Sequence, residues 1–105
     1  MTTLRELFDS GEVTYGGWCG IPSGFSAELI GRSGFDWVNV DNQHGLVGYD
    51  TTTSMLQALS ITGTPALVRV PWNQQDHIMK ALDAGAQGII VPMVGTAEEA
   101  RRAVY

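Results

Sequence analysis

Four short apolar runs recur at intervals of roughly 20 to 30 residues, each followed by a stretch with helical periodicity, and this alternation restricts the fold more than any other feature. The runs are Trp18-Cys19-Gly20-Ile21, Phe35 to Val40, Ala66 to Val70 and Gly88 to Val91. The third is interrupted only by Arg69, which suits a strand covered by helices on both faces. Ser23 can cap a helix running through Ala27, Leu29 and Ile30 to Gly34. Asp50 caps one with Met55, Leu56 and Leu59 on a single face, ending near Gly63. A third helix runs from about Asn73 or Gln74 through Ile78, Ala81 and Leu82 to a left-handed cap at Gly85. Thr96 and Glu99 form a capping box, with acids first and Arg101-Arg102 a turn later, as the helix dipole prefers. Ahead of the first strand, Thr3 and Glu6 open a short helix over Leu4, Leu7 and Phe8 that Gly11 ends; it is predicted to act as a lid. Strands and helices alternating in this way predict right-handed crossovers and a parallel sheet.

A (β/α)8 barrel takes about 250 residues, whereas this chain has 105, with 44% hydrophobic and 16% charged residues typical of a globular domain. The expected fold class is therefore α/β, with parallel (β/α) units forming roughly the first half of a TIM barrel. Residues 1–105 are expected to be a partial domain, truncated at the C-terminus. A lone half barrel leaves an unpaired edge on each side of a mostly apolar sheet, an aggregation hazard unless something covers it, which is why a truncated or partial sequence is expected; a homo-oligomer is expected as well.

Eleven acids against six bases give a net charge of −5, too few cations to neutralise nucleic acid or an anionic membrane. The longest apolar stretch, Ile89 to Val94, falls far short of the roughly 20 residues of a membrane span. The single cysteine, Cys19, cannot form an internal disulfide, and residues 1–6 carry no signal-like pattern, so a cytoplasmic location is expected.

Chemistry is expected at two strand ends, because parallel α/β folds place their active residues just past the C-terminal ends of buried strands. Where the second run stops stands Asp41-Asn42-Gln43-His44-Gly45, and Arg69 closes the third. Taken alone, Asp41 could cap a turn, Arg69 could be a buried arginine paired for structure, and a loop histidine is more often solvated than catalytic. Trp18 reads first as packing, Cys19 as a small core residue and His77 as a surface residue of a helix. Gly16, Gly17, Gly20 and Gly24 match no phosphate-loop spacing, so they are read as turn formers.

Six ordered blocks then carry a resemblance: Ser26-Ala27-Glu28-Leu29, Gly34-Phe35-Asp36-Trp37, Asp41-Asn42-Gln43-His44-Gly45, Val68-Arg69-Val70-Pro71-Trp72-Asn73, Ala84-Gly85-Ala86-Gln87-Gly88 and Val91-Pro92-Met93-Val94. Together they resemble the HpcH/HpaI family of metal-dependent 2-oxo acid aldolases. The resemblance implies a complete protein that cleaves 4-hydroxy-2-oxo acids to pyruvate and an aldehyde through a metal-bound enolate. It implies His44 as general base, Asp41 as the group that orients and polarises it, and Arg69 as a catalytic cation beside the developing enolate that also binds substrate. Trp18 corresponds to a position near the mouth of the site and is a candidate substrate contact.

The implied partners are a small 2-oxo acid and an aldehyde. The implied cofactor is a divalent ion (Mg, Mn or Co) whose ligands lie outside this chain, so no metal ligand is assigned here. Gln43 departs from the family pattern, which often has glutamate before the histidine. Two alternatives stand beside the aldolase: an acyl-CoA lyase of the citryl- or malyl-CoA type, and a half barrel that only self-associates.

Overall fold

The computed structural model describes residues 2–104. Nine elements follow one another in the order α1 (Leu4–Asp9), β1 (Gly16–Cys19), α2 (Gly24–Gly31), β2 (Trp37–Asp41), α3 (Tyr49–Thr62), β3 (Ala66–Arg69), α4 (Gln75–Asp83), β4 (Gly88–Ile90) and α5 (Ala97–Val104). The four strands form one parallel sheet in the order β1-β2-β3-β4, as the alternation of runs predicts.

The strand register divides the side chains into two faces. Cys19, Val40, Val68 and Ile89 stand side by side on one face, while Trp18, Asn39, Leu67 and Gly88 form a row on the other. The first face meets the helices. Val38, Val40 and Val68 are fully buried there against Ala27 of α2 and Met55 and Leu59 of α3. The opposite face, which would line the interior of a barrel, carries Asp41 and Arg69 in one register pair at its C-terminal end.

Local rules account for most of the boundaries. Thr3 and Ser23 cap α1 and α2 through their hydroxyls, and the Thr96 hydroxyl accepts from the Glu99 amide and donates to Glu99 Oε1. Gly63 ends α3 with φ +75°, the left-handed region where a Cβ is strained. Gly31 lets α2 approach α3: a Cβ there would stand 2.8 Å from Thr62 Oγ1 and 2.9 Å from Leu59 Cδ2.

Several expectations need correction. The first strand starts two residues earlier than the apolar run suggests, because Gly16 and Gly17 pair with Trp37 and Val38. β2 begins at Trp37 and includes Asp41, so the carboxylate is the last strand residue and not the first loop residue. Asp50 does not cap α3: Gly48 is the N-cap, without a side-chain bond, and Asp50 lies in the first turn, where the dipole still favours an acid. α4 starts at Gln75 with Gln74 as its N-cap, close to the expected start, and the Asn73 amide donates to the Glu99 carbonyl and ties the β3–α4 loop to α5. α1 does not cover the strand ends that carry Asp41. The Leu4 amide donates to Oε1 of Gln87, just before β4, and the Leu4 side chain packs over Gly88, which places α1 at the N-terminal end of the sheet.

Leu59 is fully buried at the junction of α3 with α2 and the sheet. Leu59→Ala should lower the unfolding free energy by about 2–5 kcal/mol in urea denaturation. A loss below about 1 kcal/mol would show that this junction is not the core.

Candidate active site at the C-terminal strand ends

Three neighbouring strands and one loop converge on the Asp41 carboxylate, which accepts five hydrogen bonds. From β3, Arg69 donates through Nε to Oδ1 at 3.1 Å and through Nη2 to Oδ2 at 2.6 Å. From β1, the Trp18 indole Nε1 donates to Oδ2 at 3.1 Å. From the β2–α3 loop, the backbone amides of Gln43 and His44 donate to Oδ1 at 2.9 and 3.1 Å. The register pair Asp41 and Arg69 makes the fork possible, because side chains paired across parallel strands point the same way.

The electrostatics follow from these contacts. Burial alone pushes the Asp41 carboxyl up, but the bonds from Arg69, Trp18, His44 and Gln43 outweigh it and hold the group well below the usual carboxylate range. The hydrogen bond to Asp41 raises the Arg69 guanidinium further above its already high value. Arg69 also lies over the Trp18 ring, 5.1 Å from its centroid, within cation–π range. Trp18 therefore grips both partners of the ion pair. Arg69 spends only one edge of its guanidinium on Asp41, and Nη1 has no hydrogen bond among the described residues. With its side chain 23% exposed, Arg69 can offer that outer edge to an anionic group.

His44 stands at the same end of the sheet, exposed in the β2–α3 loop. Its link to Asp41 runs through its backbone amide, and no hydrogen bond joins the carboxylate to the imidazole among the described residues. Asp41 thus fixes the loop that carries the histidine, a different contact from the ring-to-carboxylate bond expected of a dyad. Gly45 makes that loop possible: a Cβ there would strike the Asp41 carbonyl and stand 3.2 Å from Gly20 Cα. The Leu46 amide donates to the Gly20 carbonyl at 3.2 Å and anchors the loop to the end of β1.

Other singled-out residues are also placed. Cys19 faces the helices, buried, and burial pushes its thiol up to about 11, so it is a protonated core residue. His77 is half-buried on α4 beside Asn42, Tyr49 and Lys80, away from the carboxylate cluster. Sequence reasoning did not anticipate the indole bond to Asp41. Its only signal was that Trp18 falls on the same face of the sheet, two strands from Arg69.

Among the described residues, no three His, Cys, Asp or Glu side chains stand close enough to hold a metal ion. The Asp41 oxygens are already engaged with Arg69 and Trp18. These side chains therefore do not fit a metal cage by themselves.

The sequence profile of HpcH/HpaI aldolase/citrate lyase matches residues 17–105. The chain belongs to this family. It is 40% identical over 101 residues to a 4-hydroxy-2-oxo-heptane-1,7-dioate aldolase of Klebsiella pneumoniae, covering 96% of this chain and 38% of the relative. The aldolase of the same name from Salmonella dublin is 37% identical over the same length. A family structure from Burkholderia cenocepacia superposes with a TM-score of 0.87 at 32% identity, over 95% of this chain and 40% of that one. The citrate synthase SbnG superposes at 0.89 and 33% identity, over 96% and 41%. The chain thus spans about two-fifths of the length of these family members.

A carboxyl whose folded pKa lies below its unfolded one stabilises fully above the unfolded value, about 4 for aspartate, and ceases to as pH falls through the folded value. Wild-type stability in urea should therefore decline below about pH 5. Asp41→Asn should be less stable at neutral pH and show a smaller acid decline. Equal acid declines in both proteins would show that Asp41 is not held ionised by this cluster.

Proposed function

We propose that the cluster at the ends of β1, β2 and β3 is one part of an aldolase site that cleaves 4-hydroxy-2-oxo acids to pyruvate and an aldehyde. The observation that supports this most is the Arg69 guanidinium, fixed by Asp41 and Trp18 with one edge free at the C-terminal end of a parallel sheet. In the cleavage, a base takes the proton of the 4-hydroxyl, the C3–C4 bond breaks, and its electron pair moves through C2 onto the keto oxygen. The aldehyde leaves, and the enolate is then protonated at C3 to give pyruvate.

His44 is the proposed base, since a neutral imidazole accepts and returns a proton near pH 7. Arg69 is the proposed cation at the keto oxygen, stabilising charge that develops only during the reaction. Trp18 is proposed to shape the mouth on the substrate side and, through its bond to Asp41, to hold the ion pair in place. Asp41 acts as a positioning residue for Arg69 and for the histidine loop.

The pair also explains why these residues are insufficient alone. Asp41 cancels most of the charge that Arg69 offers, so a 2-oxo acid arriving with its own carboxylate meets little net positive potential. A second cation is needed. The divalent ion implied by the family would supply it, and its ligands are proposed to come from acids outside residues 1–105, in a complete barrel. The domain is accordingly proposed to be a partial one.

The likeness to a citrate synthase favours a second reading, in which the same enolate chemistry runs in the condensing direction on another acid. An acyl-CoA lyase would instead require thioester-dependent turnover.

A chimera tests the reading. Residues 2–104 replace the matching segment of the Klebsiella pneumoniae aldolase, and pyruvate release from a 4-hydroxy-2-oxo acid is followed with added divalent metal. The chimera should turn over, and His44→Ala and Arg69→Lys should each lower kcat/KM by about 100-fold or more. Full activity in the His44→Ala chimera would remove the histidine from the proton transfer.

A further inference from the structure

The histidine loop leaves β2 at Asp41 and enters α3 at Tyr49. Backbone amides anchor it along its length. Those of Gln43 and His44 donate to Oδ1 of Asp41, that of Leu46 donates to the Gly20 carbonyl, and that of Asn42 donates to the Arg69 carbonyl at 2.9 Å. The Val47 side chain is buried in the core. The His44 ring makes no hydrogen bond among the described residues, so within them the backbone of this loop sets where the imidazole stands.

One buried side chain joins the two ends of the loop. Thr52 of α3 is fully buried, and its Oγ1 lies 2.8 Å from Asn42 Oδ1 and 2.8 Å from the Gly48 carbonyl oxygen. A bond to the carbonyl one turn back is routine for a helical threonine. A bond to a side chain on the far side of a loop is not. A hydroxyl carries one hydrogen and can donate to only one of the two oxygens at a time. With the Asn42 amide turned over, its nitrogen donates to Oγ1 while the hydroxyl donates to the Gly48 carbonyl, and both contacts are satisfied together.

We propose that Thr52 and Asn42 are positioning residues: their bond clasps the first residue of the histidine loop to its last and so holds His44 at the end of β2. Asn42 stands where three elements meet. Its backbone is tied to the strand that carries Arg69, and its side chain to α3. Breaking the clasp frees the chain between Asp41 and Gly48 to shift, and the base with it, while Arg69 keeps its fork on Asp41. The clasp joins α3 to β2, an inner strand of the sheet, away from both edge strands. Its consequence for catalysis rests on the reading of His44 as the base; its hold on the loop does not.

Thr52→Val keeps the shape of the side chain and removes the hydroxyl. In the 105-residue chain, this variant should exchange the amide hydrogens of Gln43, His44 and Leu46 about tenfold faster, whereas Thr52→Ser should stay within about threefold of the unaltered chain. Asn42→Ala, at a half-buried position, should free the same amides, and it decides the matter should Thr52→Val fail to fold. A threonine that only stabilises α3 would leave these loop amides unmoved. In the chimera, Thr52→Val should lower kcat about tenfold with KM within about twofold, because the base moves and the outer edge of Arg69 does not. Thr52→Ser should restore kcat. Loop amides that exchange at the unaltered rate in Thr52→Val and Asn42→Ala would overturn the proposal, as would an active chimera whose kcat ignores Thr52→Val. An unaltered chimera without turnover is a separate result, which overturns the aldolase reading and the catalytic part of the proposal with it.

Discussion

The Asp41 carboxylate is the constraint on which the functional end of this protein depends. It receives donors from β1, from β3 and from the loop that follows its own strand, so three neighbouring strand ends and the histidine loop are tied to one pair of oxygens. A buried carboxylate is tolerable only if its lone pairs are filled, and here they are filled by groups the fold must bring together. The ion pair also needs the strand register, because a slip of one residue would turn Arg69 toward the helices and leave Asp41 charged and alone.

This arrangement sets a balance between order and reactivity. The guanidinium is held by a fork on one side and an indole face on the other, and side chains fixed in advance stabilise developing charge without reorganising during a reaction. The same fork removes most of its net charge. Among the described residues no cluster of acids and histidines offers a place for a second cation. The chain spans about two-fifths of the length of the family members it matches.

Much of the fold is legible in the sequence because local signals and burial agree. Val38, Val40 and Val68 lie in apolar runs of strand length, and Thr3, Ser23 and Thr96 sit where capping hydroxyls belong. Boundaries go astray where tertiary contacts override local preference. Gly16 and Gly17 are poor strand formers on propensity, yet Gly16 is drawn into β1 because the Trp37 ring fills the space its side chain would take. Asp50 lies in the first turn of α3 because the chain enters the helix at Gly48, which caps it without a side-chain bond.

The candidate site is legible in the sequence as a set of neighbouring residues but not as a set of bonds. Asp41, His44, Arg69 and Trp18 could all be named from strand ends and family blocks. That the carboxylate serves Arg69 and the indole, and reaches His44 only through its backbone, depends on register and side-chain direction, which spacing along the chain does not encode.

A double-mutant cycle on Asp41→Asn and Arg69→Met, read by urea unfolding at neutral pH, tests most directly whether this pair organises the strand ends. The two substitutions should couple by about 2–3 kcal/mol, with the double variant losing much less stability than the sum of the single ones. Additivity within about 0.5 kcal/mol would contradict the account, because Asp41 and Arg69 would then be independent groups that happen to lie close together.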